Sequence, residues 1–281
     1  MSRTWFITGT SRGLGREWAL AALRRGDRVA AAARGDGARD LADEFGDLVL
    51  PLDLDVRDRD EVFAAVAYAH ERFTRLDVIV NNAGYGLFGM VEEATEPQIR
   101  DQIETNLFGT LWVTQAALPI LRAQGGGHIL NVSSIGGVTA FPTLGIYHAS
   151  KWAVEGFSQA MAMEVAPFGV HVTLIEPAGY ATDWRGSSSV NTTPLLDYEQ
   201  VRSEVAAPMF AALPPRGVPG ATGDVILEIV DMAEPPLRAF LGSGPLEIVR
   251  RDYEARLRSW DSLQPLAVRA QGLPSPDGAG T

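Results

Sequence analysis

The sequence predicts an α/β fold in a single domain. Strand-like and helical runs alternate along all 281 residues, and a composition of 46% apolar and 21% charged residues suits one large globular domain. A glycine-rich turn joins the first strand-like run to the first helical one. A long helical segment at about 144–168 carries Tyr147 and Lys151 four positions apart, so both lie on one face.

The first strand is Trp5-Phe6-Ile7. It enters Thr8-Gly9-Thr10-Ser11-Arg12-Gly13-Leu14-Gly15, and a helical pattern follows until Gly26 ends it. Such a turn offers free N–H groups and the positive end of a helix to a diphosphate. Gly9 permits the tight turn, Gly13 lets backbone approach the ligand, and Gly15 lets helix and strand pack closely. Residues 28–33 form the second strand. Its end would face an adenosine ribose, where an acidic side chain selects a free 2′-hydroxyl. Here Ala33 and Arg34 stand there, with Arg12 nearby and no carboxylate before Asp36. Two guanidiniums suit a 2′-phosphate, hence NADP, unless both are merely solvated.

The third strand, 48–52, leads to Asp55, placed to accept from an adenine amino group, and Val56, placed against the ring. A helix over 58–74 and a buried strand over 77–80 follow, ending at Asn81-Asn82-Ala83-Gly84. Small residues and two amides there suit close passage of a ligand and a locked turn. Thr95 caps a helix reaching about residue 124, with Pro97 in its first turn. Asn106 lies inside that helix, where its propensity is poor and a buried amide needs partners, so a kink or water site is expected. The strand 128–132 closes at Ser133-Ser134, and the strand 170–175 exits through Glu176-Pro177-Ala178-Gly179-Tyr180-Ala181-Thr182. Residues 183–220 read as a partly helical, mobile flap. A helix at 221–232, a strand at 237–241 and a one-faced helix at about 245–263 follow, with a loose tail from Gln264.

The chain carries 24 Lys and Arg against 35 Asp and Glu, a formal charge of -11. That argues against nucleic acid or an anionic membrane as partner. Without cysteine there is no disulfide, thiolate nucleophile or cysteine metal site, and the four histidines show no ligand spacing, so no metal is expected. No apolar run reaches a membrane span and no room is left for a signal peptide, so a soluble cytoplasmic protein is expected.

A phenol titrates near ~10, and a fixed cation beside it favours the phenolate. Lys151 is therefore expected to lower the Tyr147 pKa and make it a general acid–base group. The joint set of Thr8-Gly9-x-x-x-Gly13-x-Gly15, Asn81-Asn82-Ala83-Gly84, Asn106, Ser134, Tyr147-x-x-x-Lys151 and the 177–182 loop resembles the short-chain dehydrogenase/reductase family, in its compact single-domain branch. The match spans about the first two-thirds of the chain. The resemblance implies a Rossmann-like, doubly wound parallel sheet of seven strands in order 3-2-1-4-5-6-7, helices on both faces, and cofactor along the strands' C-terminal ends. It implies Tyr147 as the acid that protonates a carbonyl oxygen and Ser134, rather than Ser133, as hydrogen-bond partner of that oxygen. It gives Lys151 the nicotinamide ribose and Asn106 a relay water.

The expected cofactor contacts are Gly9, Ser11, Arg12, Gly13, Leu14, Gly15, Arg34, Asp55, Val56, Asn82, Ala83, Gly84, Tyr147, Lys151, Pro177, Gly179, Tyr180 and Thr182. The family usually has Pro-Gly where this chain has Pro177-Ala178-Gly179, and the added methyl could tighten the nicotinamide pocket. His148 is expected to pack rather than act as a base. Tyr85, Ile135, Gly136, Phe141, Leu144, Tyr180 and Trp184 outline an apolar, aromatic pocket with Arg185 as its one nearby cation, which favours an apolar or aromatic ketone, aldehyde or secondary alcohol. The resemblance leans toward carbonyl reduction and suggests homodimers or homotetramers through the two long helices. A non-catalytic NADP-binding sensor on the same fold is the alternative, although sensors of that kind usually lose the tyrosine or lysine.

Overall fold

Strand β1 (Thr4–Thr8) is buried along its whole length, and its side chains alternate between two cores. Trp5 and Ile7 join one cluster; Phe6 joins the other. That alternation between two apolar faces is what a central strand covered on both sides requires. The computed structural model describes residues 2–272 apart from 183, 185, 187 and 188.

The remaining strands are β2 (Arg28–Ala33), β3 (Val49–Asp53), β4 (Val78–Asn81), β5 (Leu87–Phe88), β6 (Gly127–Val132), β7 (Val170–Pro177), β8 (Val190–Asn191) and β9 (Arg238–Leu241). The main sheet has seven strands in the order β3-β2-β1-β4-β6-β7-β9, all paired in parallel. The Rossmann-like class is as expected. The numbering differs because β5 and β8 form a separate two-stranded ribbon. Each has only two residues, too few to show periodicity.

The helices are α1 (Gly13–Arg24), α2 (Arg39–Phe45), α3 (Arg59–Phe73), α4 (Glu96–Ile103), α5 (Gly109–Ala123), α6 (Gly145–Val165), α7 (Glu199–Val201), α8 (Ala207–Ala211), α9 (Thr222–Asp231) and α10 (Pro245–Ala270). Residues of α1, α2 and α9 fill the Trp5 side of the sheet, and those of α3, α5 and α6 fill the Phe6 side. Short α2 has no counterpart in the sequence reading. The expected helix at 95–124 is continuous but changes pitch: Glu104–Phe108 is a π-turn, centred on Asn106. The expected tail from Gln264 is corrected, since α10 runs on to Ala270 with Pro265 inside it. Leu266, Ala267, Arg269 and Ala270 are good helix formers and carry the helix past the proline. The described part of the flap is held by β8, α7, a π-turn at Arg202–Ala206 and α8.

Candidate active site and cofactor groove

The strands' C-terminal ends gather the polar residues. Ser134 follows β6 in extended conformation, and its Oγ accepts the Gly136 N–H at 3.0 Å. Tyr147, in the first turn of α6, is only 5% exposed, and Ser134 is the polar side chain that acts on its phenol. Burial pushes the phenol up to about 12, against the pull of Ser134. This corrects the expectation that Lys151 makes the phenol more acidic. The ammonium stands 5.9 Å from the Tyr147 ring centroid and donates instead to the Val132 carbonyl at 2.7 Å. Lys151 is itself pushed down to about 8 by burial, opposed by the charge of Glu155. It is also the only lysine in the chain.

Asn106 sits at the π-turn, fully buried. Its Oδ1 accepts the Tyr85 N–H at 3.1 Å, and its Nδ2 donates to the Tyr85 carbonyl at 3.0 Å and Ser150 Oγ at 3.1 Å. A π-turn releases a backbone carbonyl from the regular ladder, and such turns recur at functional sites. Here the Asn106 carbonyl accepts from Thr110 Oγ1 at 3.0 Å. A Cβ on Gly84 would lie 3.0 Å from Asn106 Oδ1 and 3.7 Å from Lys151 Nζ, so Gly84, Asn106 and Lys151 enclose one spot.

From there a groove runs to the glycine turn. Gly9 holds φ +72°, and Asn82 Nδ2 donates to the carbonyls of Thr8 and Gly9 at 3.0 and 3.1 Å. A Cβ on Gly15 would stand 2.3 Å from that same Nδ2. Gly15 thus makes room for the Asn82 amide, and Asn82 braces the turn. Thr8 completes the lock by accepting the N–H groups of Asn82 and Ala83, a role the sequence reading did not give it. Thr182 lies over Gly13, bringing the exit of β7 to the turn as expected for one continuous groove. Arg12 is the N-cap of α1 and Leu14 packs on the core beneath.

At the end of β2, Ser11 approaches Gly37, and the exposed Arg34 acts on Asp55. Asp55 is engaged by Arg57, whose side chain and N–H both donate to it; the side-chain bonds do most to hold its pKa down. Any adenine amino group would share that carboxylate. Val56 packs on Gly109 of α5 and is 7% exposed. The Ala178 methyl meets Gly242, just past the end of β9. Pro177 ends β7 in the core, Gly179 binds Gly217 by its carbonyl, and the Tyr180 ring packs on Gly217.

The glycine turn, Asn82–Gly84 and the Lys151 spot together fit a dinucleotide: the turn and the start of α1 suit the diphosphate, while a lysine and a phenol stand at the other end.

Aromatic rings roof the phenol. Trp184 stands 5.2 Å from the Tyr147 ring and 4.9 Å from Phe88, both edge-on. Phe141 faces Phe210 at 6.3 Å. Phe88 and Phe210 were not anticipated, because one lies on a two-residue strand and the other in the flap. Tyr85 and Ile135 are half-buried beside the site, and Leu144 is buried where residue 144 bridges Gly89. Arg185 lies outside the described residues. His148 packs as expected and also braces: Nδ1 bonds the Gly136 carbonyl at 2.8 Å and Nε2 accepts the Phe141 N–H at 2.9 Å. Glu93, fully buried, holds the flap. It accepts from Thr192 at 2.9 Å, from the Met90 and Leu195 N–H groups at 2.8 Å each, and from Arg202. Burial would raise its pKa, but these donors outweigh it and bring it to about 2.

Comparison with known proteins agrees with this geometry. A family model described as short chain dehydrogenase matches residues 3–192. The oxidoreductase BOA17 of Botryotinia fuckeliana is 40% identical over 271 residues, covering 95% of this chain and 99% of that one. A short-chain dehydrogenase structure from Streptomyces avermitilis superposes with a TM-score of 0.87 at 31% identity, covering 95% and 97% of the two chains. One from Burkholderia cenocepacia, in complex with NADP, gives 0.73 at 25% identity, covering 93% and 97%.

Proposed function

Because the chain belongs to the short-chain dehydrogenase family, we propose that it is an NADPH-dependent carbonyl reductase acting on apolar or aromatic ketones and aldehydes, with Tyr147 as the proton donor. As a family member it is an oxidoreductase with a nicotinamide cofactor, which supplies the hydride when bound. The observation that carries the direction is the state of the phenol. Buried, with its pKa held up, Tyr147 carries its proton throughout the neutral range, the form that a proton donor to a carbonyl oxygen needs. Ser134, on the same phenol, holds the carbonyl oxygen and stabilises its developing charge. Lys151 binds the ribose hydroxyls and returns protons through Asn106. Preference for NADPH rests on Arg34 and Ser11 at the end of β2, where the nearby Asp53 carboxylate is taken up by the Gly35 N–H. Trp184, Phe88, Phe141 and Phe210 favour an apolar substrate by area burial. One domain carries both cofactor and catalysis, in a cytoplasmic homo-oligomer paired through α4–α5 and α6.

The test is titration of NADPH against NADH by fluorescence, followed by a carbonyl panel. Tighter NADPH binding and turnover of apolar ketones are expected. Consumption of NADPH with charged carbonyls alone would reverse the substrate class. NADPH binding with no turnover of any carbonyl or alcohol would favour the sensor.

A further inference from the structure

Beside Ser133 and Gly137 lies a second polar group that the chemistry above does not use. Glu155 stands on α6 one turn beyond Lys151, and Glu176 stands at the end of β7; their residues are 6% and 0% exposed. Arg238 of β9 reaches both, at 3.0 Å to Glu155 Oε2 and 3.5 Å to Glu176 Oε1. Its other end donates to Gln159 at 2.9 Å. Glu155 Oε1, both Glu176 oxygens and Ser133 Oγ are buried without a hydrogen-bond partner. Ser133 Oγ and Glu155 Oε1 flank one point, since a Cβ on Gly137 would stand 2.4 Å from the first and 3.3 Å from the second.

Two buried carboxylates facing one guanidinium set like charges against each other away from water, which is costly. As anions they offer each other only acceptors. One added proton turns their contact into a hydrogen bond and removes the like-charge repulsion between them.

We propose that Glu155 and Glu176 hold one proton between them, with Arg238 as counter-cation, and that the charged Glu155 positions and stabilises the ammonium of Lys151 one helical turn away. Glu176 carries the proton and donates it to Glu155. Glu155 stays ionised between Arg238 and Lys151, the two cations that act on the pair from β9 and from its own helix. The pair is thus a positioning device for the lysine and touches neither substrate nor cofactor. Burial and the charge of Glu155 both hold Glu176 well above the usual carboxylate range, in keeping with this assignment. The lysine's catalytic role rests on the proposed function; the shared proton does not.

Both halves can be read without substrate. At pH 7 an ordinary carboxyl is ionised, so infrared spectroscopy of the resting protein should show a protonated-acid carbonyl band that disappears in both Glu176→Gln and Glu155→Gln. No band in the unaltered protein, or a band that survives Glu176→Gln, overturns the shared proton. Because Lys151 is the only lysine, protein labelled in lysine gives a single side-chain NMR titration. Glu155→Gln should shift it down by roughly one unit, as loss of a nearby opposite charge does, while Glu176→Gln should leave it in place. An unmoved lysine in Glu155→Gln overturns the coupling. Should Glu155→Gln not fold, the unaltered protein and the nearly isosteric Glu176→Gln still decide the proton, and Glu155→Asp, which keeps the charge, should hold the lysine where it was. If no carbonyl is turned over by the unaltered protein, the proposed function fails while both spectroscopic results stand.

Discussion

Replacing Lys151 by methionine should abolish reduction and change stability in a way that depends on pH. Lys151 is buried, and its pKa falls from 10.5 to about 8 on folding. At ~1.36 kcal/mol per unit, keeping it charged in the folded protein costs roughly 3 kcal/mol. Below pH 8 both folded and unfolded chains carry the proton, so the full cost is present. Between pH 8 and 10.5 the unfolded chain still binds the proton and the folded one does not, so stability rises with pH through that window. Methionine has a similar length, no charge and no titration, but it strands the Val132 carbonyl, at about 1–3 kcal/mol. Near pH 7 the variant should therefore match the parent or exceed it by up to about 2 kcal/mol. The stability difference, variant minus parent, should then fall by roughly 3 kcal/mol between pH 8 and 10.5. Urea unfolding at a series of pH values measures it, and subtraction cancels every other titrating group. A difference that stays flat across the window would refute a depressed lysine.

Three further outcomes follow from the same geometry. Asn106→Ala leaves Tyr85 and Ser150 without their buried partner and should cost about 2 kcal/mol or more of stability, with kcat falling further than KM rises, as unfolding curves and steady-state rates would show. Glu93→Gln removes the charge that holds Arg202, so hydrogen exchange over 190–206 should speed up and the ketone KM should rise while NADPH affinity stays put. Arg34→Ala should weaken NADPH about tenfold or more and leave NADH unchanged, since a charge-assisted bond to phosphate is worth roughly 1.5–3 kcal/mol; equal losses for both cofactors would remove Arg34 from the 2′-phosphate.

The groove was legible where the sequence carries a backbone constraint. Gly9 and Gly15 mark places where a Cβ would strike the Asn82 amide, and alternation at Trp5-Phe6-Ile7 marks a strand covered on both faces. Poor helix propensity at Asn106 pointed to the irregular turn found there, though not to its π form. What escaped depends on chain-distant neighbours. Tyr147 is buried among residues distant in the chain, Trp184 among them, so residue spacing suggested the wrong sign for its shift. Val56 and Ala178 face α5 and β9, which no local pattern reveals. Glu93 reads as one more surface acid until residues 192–202 fold onto it.

The central claim is that the Tyr147 phenol delivers the proton while the groove holds NADPH. It is tested most directly by Tyr147→Phe in two assays on one preparation: NADPH binding by fluorescence, and NADPH consumption with an apolar ketone that the unaltered protein reduces. Loss of the general acid should slow turnover by roughly 10²-fold or more with cofactor affinity unchanged. Turnover within a few-fold of the parent would contradict it.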